Sequence, residues 1–171
     1  MPSSRSLARL IVDVAQVRYA DCIVELGPGT GVFTELIHQD MRASAKFIAI
    51  ERNQHFVTEV SRRYPNISIY HDCATNTKKY LDSHGHTDCD CIVSGLPWSS
   101  FRKELQERLI DIIFDILRPG GRFVTFVNVQ GMLLPGGTSF NKKLRSRFTR
   151  VEKSRTVWMN VPPSFVYSVV K

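Results

Sequence analysis

The chain has no apolar run near the roughly 20 residues that a membrane-spanning helix needs. Its opening, Met1-Pro2-Ser3-Ser4-Arg5, lacks the apolar stretch of a secretory signal. A cytoplasmic protein is expected, at most peripheral to a membrane. Cysteine is scarce: Cys22, Cys73, Cys89 and Cys91, with no C-x-x-C pair. His84 and His86 lie nearby, but the spacing matches no standard zinc pattern, so free buried thiols are expected rather than a metal site. Cys89 and Cys91, two apart on a strand, should face the same side. There is no phosphate-binding P-loop, no Ser-His-Asp order and no metal–carboxylate cluster, which argues against NTPases and triad hydrolases. Internal repeats, low-complexity tracts and linkers are also missing. A length of 171 residues then points to one domain spanning 1–171.

Acid is in short supply. Sixteen Asp and Glu stand against 23 Lys and Arg, a formal charge of +7. Such a balance favours an anionic partner: nucleic acid, an anionic membrane surface or an acidic small molecule. The excess is uneven, because Lys142 to Arg155 holds seven Lys or Arg and a single acid, Glu152. Hydrophobic residues make up 43%, enough for a real core.

What is present is a strand–turn–helix signal. Cys22-Ile23-Val24-Glu25-Leu26 is a short apolar run with one acid, followed by Gly27-Pro28-Gly29-Thr30-Gly31. Val32, Phe33, Leu36 and Ile37 then recur at helical spacing. Glycines let the backbone take positive φ and let a ligand approach closely. The helix N-terminus offers free N–H groups to a negative group. The dinucleotide fingerprint is G-x-G-x-x-G; here the third glycine falls one residue early, at Gly31, and Val occupies position 32. The spacing behind Glu25 instead resembles motif I of class I S-adenosylmethionine (SAM) methyltransferases. That resemblance implies SAM as cofactor, with the loop holding its methionine end and Glu25 near its amino group.

Further strands are expected at 46–50, 67–70, 89–93 and 122–127, alternating with helices at 53–63, 74–81 and 101–117. A first helix is expected over 4–18, capped by Ser3 or Ser4. Residues 131–139 read as a glycine- and proline-bearing loop before a basic helix at 139–147. Two closing strands, 150–158 and 164–170, suit an antiparallel hairpin. The expected fold is α/β and Rossmann-like: a seven-stranded, mostly parallel sheet, helices on both faces, and that C-terminal hairpin.

Ligands of an open α/β sheet sit at the carboxyl ends of the strands. Glu51 ends strand 2, placed to accept both ribose hydroxyls. Asp72 ends strand 3, placed to accept from the adenine amino group, with the Cys73 N–H toward a ring nitrogen. Arg52 and Asn53 are candidates to wall the adenine. Ser94-Gly95-Leu96-Pro97-Trp98 follows strand 4, where the methyl group should lie. Methyl transfer is an in-line displacement on activated carbon, so alignment and exclusion of water are the main needs. Carbonyls of Ser94 and Gly95 are candidates to hold amine hydrogens, Pro97 shapes the turn, and Trp98 is a candidate face for a base or cationic headgroup. No metal is required.

The pieces Pro2-Ser3-Ser4-Arg5-Ser6-Leu7-Ala8, Glu25 to Thr34, Ser94-Gly95-Leu96-Pro97 and Asn160-Val161-Pro162-Pro163 together resemble bacterial phospholipid N-methyltransferases. That family methylates phosphatidylethanolamine. A wider kinship is with rRNA adenine dimethylases. The resemblance implies an amine acceptor on a phospholipid headgroup; RNA adenine, a small-molecule N- or O-acceptor, or SAM binding without turnover are the rivals. Two departures stand out. The family carries an amphipathic, membrane-seeking segment before Pro-Ser-Ser, where this sequence starts, so the family's membrane docking is not carried over to this sequence. It also tends to have tyrosine just after strand 5, where this chain reads Phe126-Val127-Asn128-Val129-Gln130.

Overall fold

The structure is a computed structural model that describes residues 4–171. Seven strands form one sheet in the order β3-β2-β1-β4-β5-β7-β6. They are β1 (Cys22–Leu26), β2 (Lys46–Glu51), β3 (Ser68–His71), β4 (Cys89–Ser94), β5 (Leu117–Asn128), β6 (Arg150–Lys153) and β7 (Ser164–Val170). Neighbours pair in parallel from β3 through to β5, and β7 runs antiparallel to both β5 and β6. The chain order reverses between β1 and β4, the switch point where such sheets open a crevice.

The central strands are buried on both faces. Val24 and Leu26 of β1, with Ile48 and Ile50 of β2, pack on the side covered by α4 (Thr77–Ser83), α5 (Lys103–Ile116) and α7 (Pro135–Arg147). Ile23, Phe47 and Ala49 alternate to the opposite side, under α1 (Arg5–Ala15) and α2 (Val32–Asp40). The near-continuous apolar runs of β1 and β2 follow from this double covering. Ser4 caps α1, its Oγ accepting from the Leu7 N–H; Ser3 lies outside the described residues. Asn53 caps α3 (Gln54–Arg63) by accepting from the His55 N–H.

Four expectations need correction. Cys89 and Cys91 face opposite sides, because the ladder to β5 slips between them and the bulge turns one side chain over. All four cysteines are free, and burial pushes the Cys22 thiol up to about 12. Residues 131–139 are not a loop. A short helix α6 (Val129–Met132) and the first turns of α7 occupy them, with Pro135 in the opening turn of α7, where its missing N–H costs nothing. Gly136 and Gly137 serve close approach: a Cβ on Gly136 would lie 2.2 Å from the Ser99 carbonyl oxygen, and one on Gly137 2.2 Å from that of Gly131. Strand β6 stops at Lys153 rather than 158; beyond it only a single bridge, Val157 to Ser164, remains. Finally, β5 starts early, at Leu117, and absorbs Pro119-Gly120-Gly121 as an irregularity with Gly120 at φ 77°.

Candidate active site

The glycine turn after β1 is set by its neighbours. Gly27, Gly29 and Gly31 all take positive φ. A Cβ on Gly27 would sit 2.8 Å from Leu96 Cδ2, and one on Gly95 only 2.5 Å from the Gly27 carbonyl oxygen. The turns after β1 and β4 therefore touch backbone to side chain, and both must be bare. Gly29 is different: nothing lies within 4 Å of where its Cβ would be. That open side faces a cavity of about 310 Å³. Gly31 faces away, against Val60 and Arg63, and serves the packing of α2 on α3. Pro28, Thr30 and Gly31 do not line the cavity; the Thr30 carbonyl accepts instead from Arg63.

Two carboxyl groups anchor this side. Glu51 is buried at the end of β2. Its Oε2 accepts from the Gly29 N–H at 3.0 Å and its Oε1 from the Asn53 N–H at 2.8 Å, so it ties the glycine turn to the start of α3. Each oxygen keeps a lone pair for a further donor. Glu25 is fully buried in β1. Its Oε2 accepts from Thr34 Oγ1 at 2.7 Å, while its Oε1 has no partner. Desolvation pushes the Glu25 carboxyl up to about 8, against the Thr34 hydrogen bond and with a smaller push from Glu51. A cationic group beside that orphaned oxygen would reverse the shift.

Asp72 follows β3 and lines the cavity together with Arg52, Cys73 and Ala74. Hydrogen bonds from Tyr80 Oη, Asn76 Nδ2 and the Cys73 N–H hold its carboxyl down at about 2. The Cys73 N–H is thus spent on Asp72 and does not point to a ligand, which corrects the expectation for it. The apolar wall comes from Ile50, Leu96, Phe101, Leu105 and Leu109. Of these only Leu96 is named from sequence, within the turn after strand 4. Nothing in the sequence of the 101–117 helix says that Leu105 and Leu109 border a cavity.

The turn after β4 separates this cavity from a second, of about 150 Å³; Gly95, Leu96 and Pro97 line both. Trp98, Ser99, Ser100, Phe126, Val127 and Asn128 complete the smaller one. Here the structure corrects two candidates. Trp98 is 1% exposed. Its ring stacks on Phe140 with centroids 4.5 Å apart, and its Nε1–H is shared between Ser94 Oγ at 3.2 Å and Thr125 Oγ1 at 3.0 Å. Although Trp98 borders the smaller cavity, its indole is packed and hydrogen-bonded as core. Ser94 is fully buried too. Its carbonyl accepts from Thr125 Oγ1 at 2.9 Å and its Oγ from the Leu96 N–H at 3.3 Å, and it lines neither cavity. Gln106, which sequence reading passed over, clamps the region: its Nε2 donates to the Trp98 carbonyl at 2.7 Å and the Gly136 carbonyl at 2.9 Å.

Comparison with known proteins follows the same lines. Residues 23–121 match the family described as "Methyltransferase domain". The chain is 29% identical, over 170 residues, to an ornithine lipid N-methyltransferase of Singulisphaera acidiphila, covering 86% of this chain and 88% of that protein. It is 26% identical over 72 residues to ribosomal RNA small subunit methyltransferase A of Hydrogenobaculum, covering 42% of this chain and 28% of that one. An O-methyltransferase from Bacillus cereus, solved with SAH, superposes with a TM-score of 0.76 at 13% identity over 98% of this chain and 82% of that one. The chain belongs to the methyltransferase-domain family and is a class I, SAM-dependent methyltransferase.

Proposed function

We propose that this enzyme methylates an amine nitrogen and that the amine is carried on a lipid headgroup. The larger cavity fits SAM by its donor set. Gly27 and Gly29 line it and leave room for the methionine end; Glu25 is fully buried and does not line it, and its unpaired oxygen is what supports it as the acceptor for the ammonium. Glu51 has lone pairs for the ribose hydroxyls, Asp72 and Arg52 flank the adenine, and Ile50, Leu105 and Leu109 give it an apolar bed. SAM supplies a methyl group already activated for displacement by its sulfonium.

The acceptor then sits in the smaller cavity, across Gly95-Leu96-Pro97. One observation carries the choice of nitrogen. The residues lining that cavity are Gly, Leu, Pro, Trp, Ser, Phe, Val and Asn, with no titratable base among them. An alcohol must lose a proton to become a useful nucleophile, and a positioned base normally takes it. An amine is acidic enough as its ammonium to give its proton to water before it binds, and once neutral it brings its own lone pair and needs alignment rather than a base. In this reading the Gly95 carbonyl would orient an amine hydrogen; Gly95 and Pro97 line both cavities, which supports it. The lipid headgroup follows from the relative in Singulisphaera, whose name gives a lipid amine as its substrate.

The test is methyl-labelled SAM with four acceptors in parallel: a detergent-dispersed aminolipid, its free headgroup amine, RNA, and an alcohol of similar size. Label in the aminolipid is the expected result. Label in the alcohol or RNA, with none in either amine, overturns the reading.

A further inference from the structure

Seven large hydrophobic side chains are strongly exposed among the described residues, and six share one end of the sheet. Val129, Leu133 and Leu134 lie on α6 and the turn into α7; Trp158, Met159 and Val161 lie between β6 and β7. Leu133 is 84%, Met159 81% and Trp158 75% exposed. Both segments sit where β5 ends and β7 begins, the end of the sheet that carries the two cavities. Solvent exposure of scattered apolar residues is ordinary, but a cluster at the rim of a site is not.

The two segments form one platform. The Val129 N–H donates to the Pro163 carbonyl at 2.8 Å. Asn160 is buried beneath the exposed tip, its Nδ2 donating to the Pro162 carbonyl at 2.8 Å and to Ser164 Oγ at 3.0 Å, and its Oδ1 accepting from the Ser4 N–H at 2.8 Å. Lys153 reaches Met132 Sδ, joining the segments from the other side. The tip is thus held with its apolar side chains outward, instead of folding them in.

Charge in the last third of the chain is one-sided. After Asp115 the chain carries ten Lys or Arg and one acid, Glu152, which Arg150 already pairs. Up to Asp115 it carries thirteen Lys or Arg and fifteen acids. Arg118, Arg122, Arg150 and Lys171 lie toward the far end of β5–β7, so only part of this excess belongs to the platform. Lys153 and Arg155 lie closest to the apolar tip in the chain, with no acid from Lys153 to the end. Apolar side chains flanked by basic ones match the two layers of an anionic membrane surface, an acyl boundary below negative headgroups.

We infer that residues 129–134 and 157–161 form a membrane-docking face that inserts into an anionic lipid bilayer and sets the acceptor cavity against the lipid headgroups. The inference goes beyond the choice of acceptor, and its test does not use turnover.

Trp158 is a built-in reporter, because the other tryptophan, Trp98, is buried. The whole chain is mixed with vesicles of phosphatidylcholine alone, or of phosphatidylcholine with phosphatidylglycerol, and tryptophan emission and vesicle flotation are recorded. With anionic vesicles, emission should shift to the blue, and lipids brominated on their acyl chains should quench it. Neutral vesicles should give much weaker flotation. The double variant Trp158→Ser/Met159→Ser should lose roughly tenfold or more in partitioning, the scale of removing two inserted side chains, and Leu133→Ser/Leu134→Ser should lose a similar amount. Both pairs are exposed, and an unchanged melting temperature confirms that the variants fold. Flotation that salt abolishes, without a blue shift or quenching, would mean surface attraction without insertion and overturn the proposal. So would tight RNA binding by the same platform with no vesicle binding. If docking fails while the aminolipid in detergent is still methylated, only the docking face is lost; docking without amine methylation spares it and removes the acceptor.

Discussion

On the β1–β3 side of the crevice, each residue that meets the larger cavity lies within a few positions of a strand end. Gly29 follows β1, Glu51 closes β2, and Asp72 follows β3. On the β4–β5 side, the turn is held by residues far away in the chain. Trp98 stacks on Phe140, its Nε1–H meets Thr125, and Gln106 ties the turn to Gly136. The first side is a local device, repeated at three strand ends. The second is a packed cluster whose shape depends on α5, α6 and α7 arriving together. Polar side chains on the first side are left with lone pairs to spare, while those on the second are mostly consumed by one another. A cofactor site needs spare donors and acceptors; an acceptor site without a base needs shape.

That contrast predicts different failures. The largest effect belongs to the packed side. Trp98→Ala should cost about 3–5 kcal/mol of stability, the range for emptying a large aromatic from a core, while SAM affinity per folded molecule stays near that of the native chain. Urea unfolding beside a SAM titration checks both; a stable variant with slow turnover would return Trp98 to the acceptor site. Next comes Glu51→Ala. It should weaken SAM by about 1.5–3 kcal/mol, the scale of hydrogen bonds to a charged group. It should also cost some stability, because the Gly29 and Asn53 N–H groups lose their acceptor. Unchanged affinity in a calorimeter would detach β2 from the cofactor.

The smallest expected effect is a slope. In the ligand-free protein the folded state holds the Glu25 proton to about pH 8, whereas an ordinary glutamate releases it near 4.5. The folded state thus binds more protons between these values. Stability from this group is complete below about pH 4.5 and falls as pH rises toward 8. Glu25→Gln should flatten that decline in unfolding curves taken from pH 5 to 8.5. Saturating SAM should flatten it as well, if its ammonium pairs with the carboxylate. An identical slope in the Gln variant would assign the decline elsewhere.

The same division explains what could be read early. Strand–turn–helix boundaries on the cofactor side match expectation within a residue or two, because apolar runs, glycine spacing and strand-end acids act over short range. Around 131–139 the reading failed, since Pro135-Gly136-Gly137 looks like a loop to local propensity, yet those glycines permit close approaches in which an added Cβ would fall 2.2 Å from a carbonyl oxygen. The Cys89–Cys91 pair failed for a related reason: a bulge is a mismatch with a partner strand, and no property of β4 alone records it.

Apolar period and the order of glycines and acids were enough to expect an α/β sheet, and the resemblance of its motifs to expect a methyltransferase; Gly29, Glu51 and Asp72 could be proposed because each lies at or just after the end of its own strand. The fate of Trp98 and Ser94 was not contained in their neighbourhood. Whether an indole faces a substrate or the core depends on Phe140, Thr125 and Gln106, which reach it through the folded chain. The apolar platform is likewise invisible as a run of letters: Leu133 and Trp158 meet at one end of the sheet only because β5 and β7 lie side by side in opposite directions.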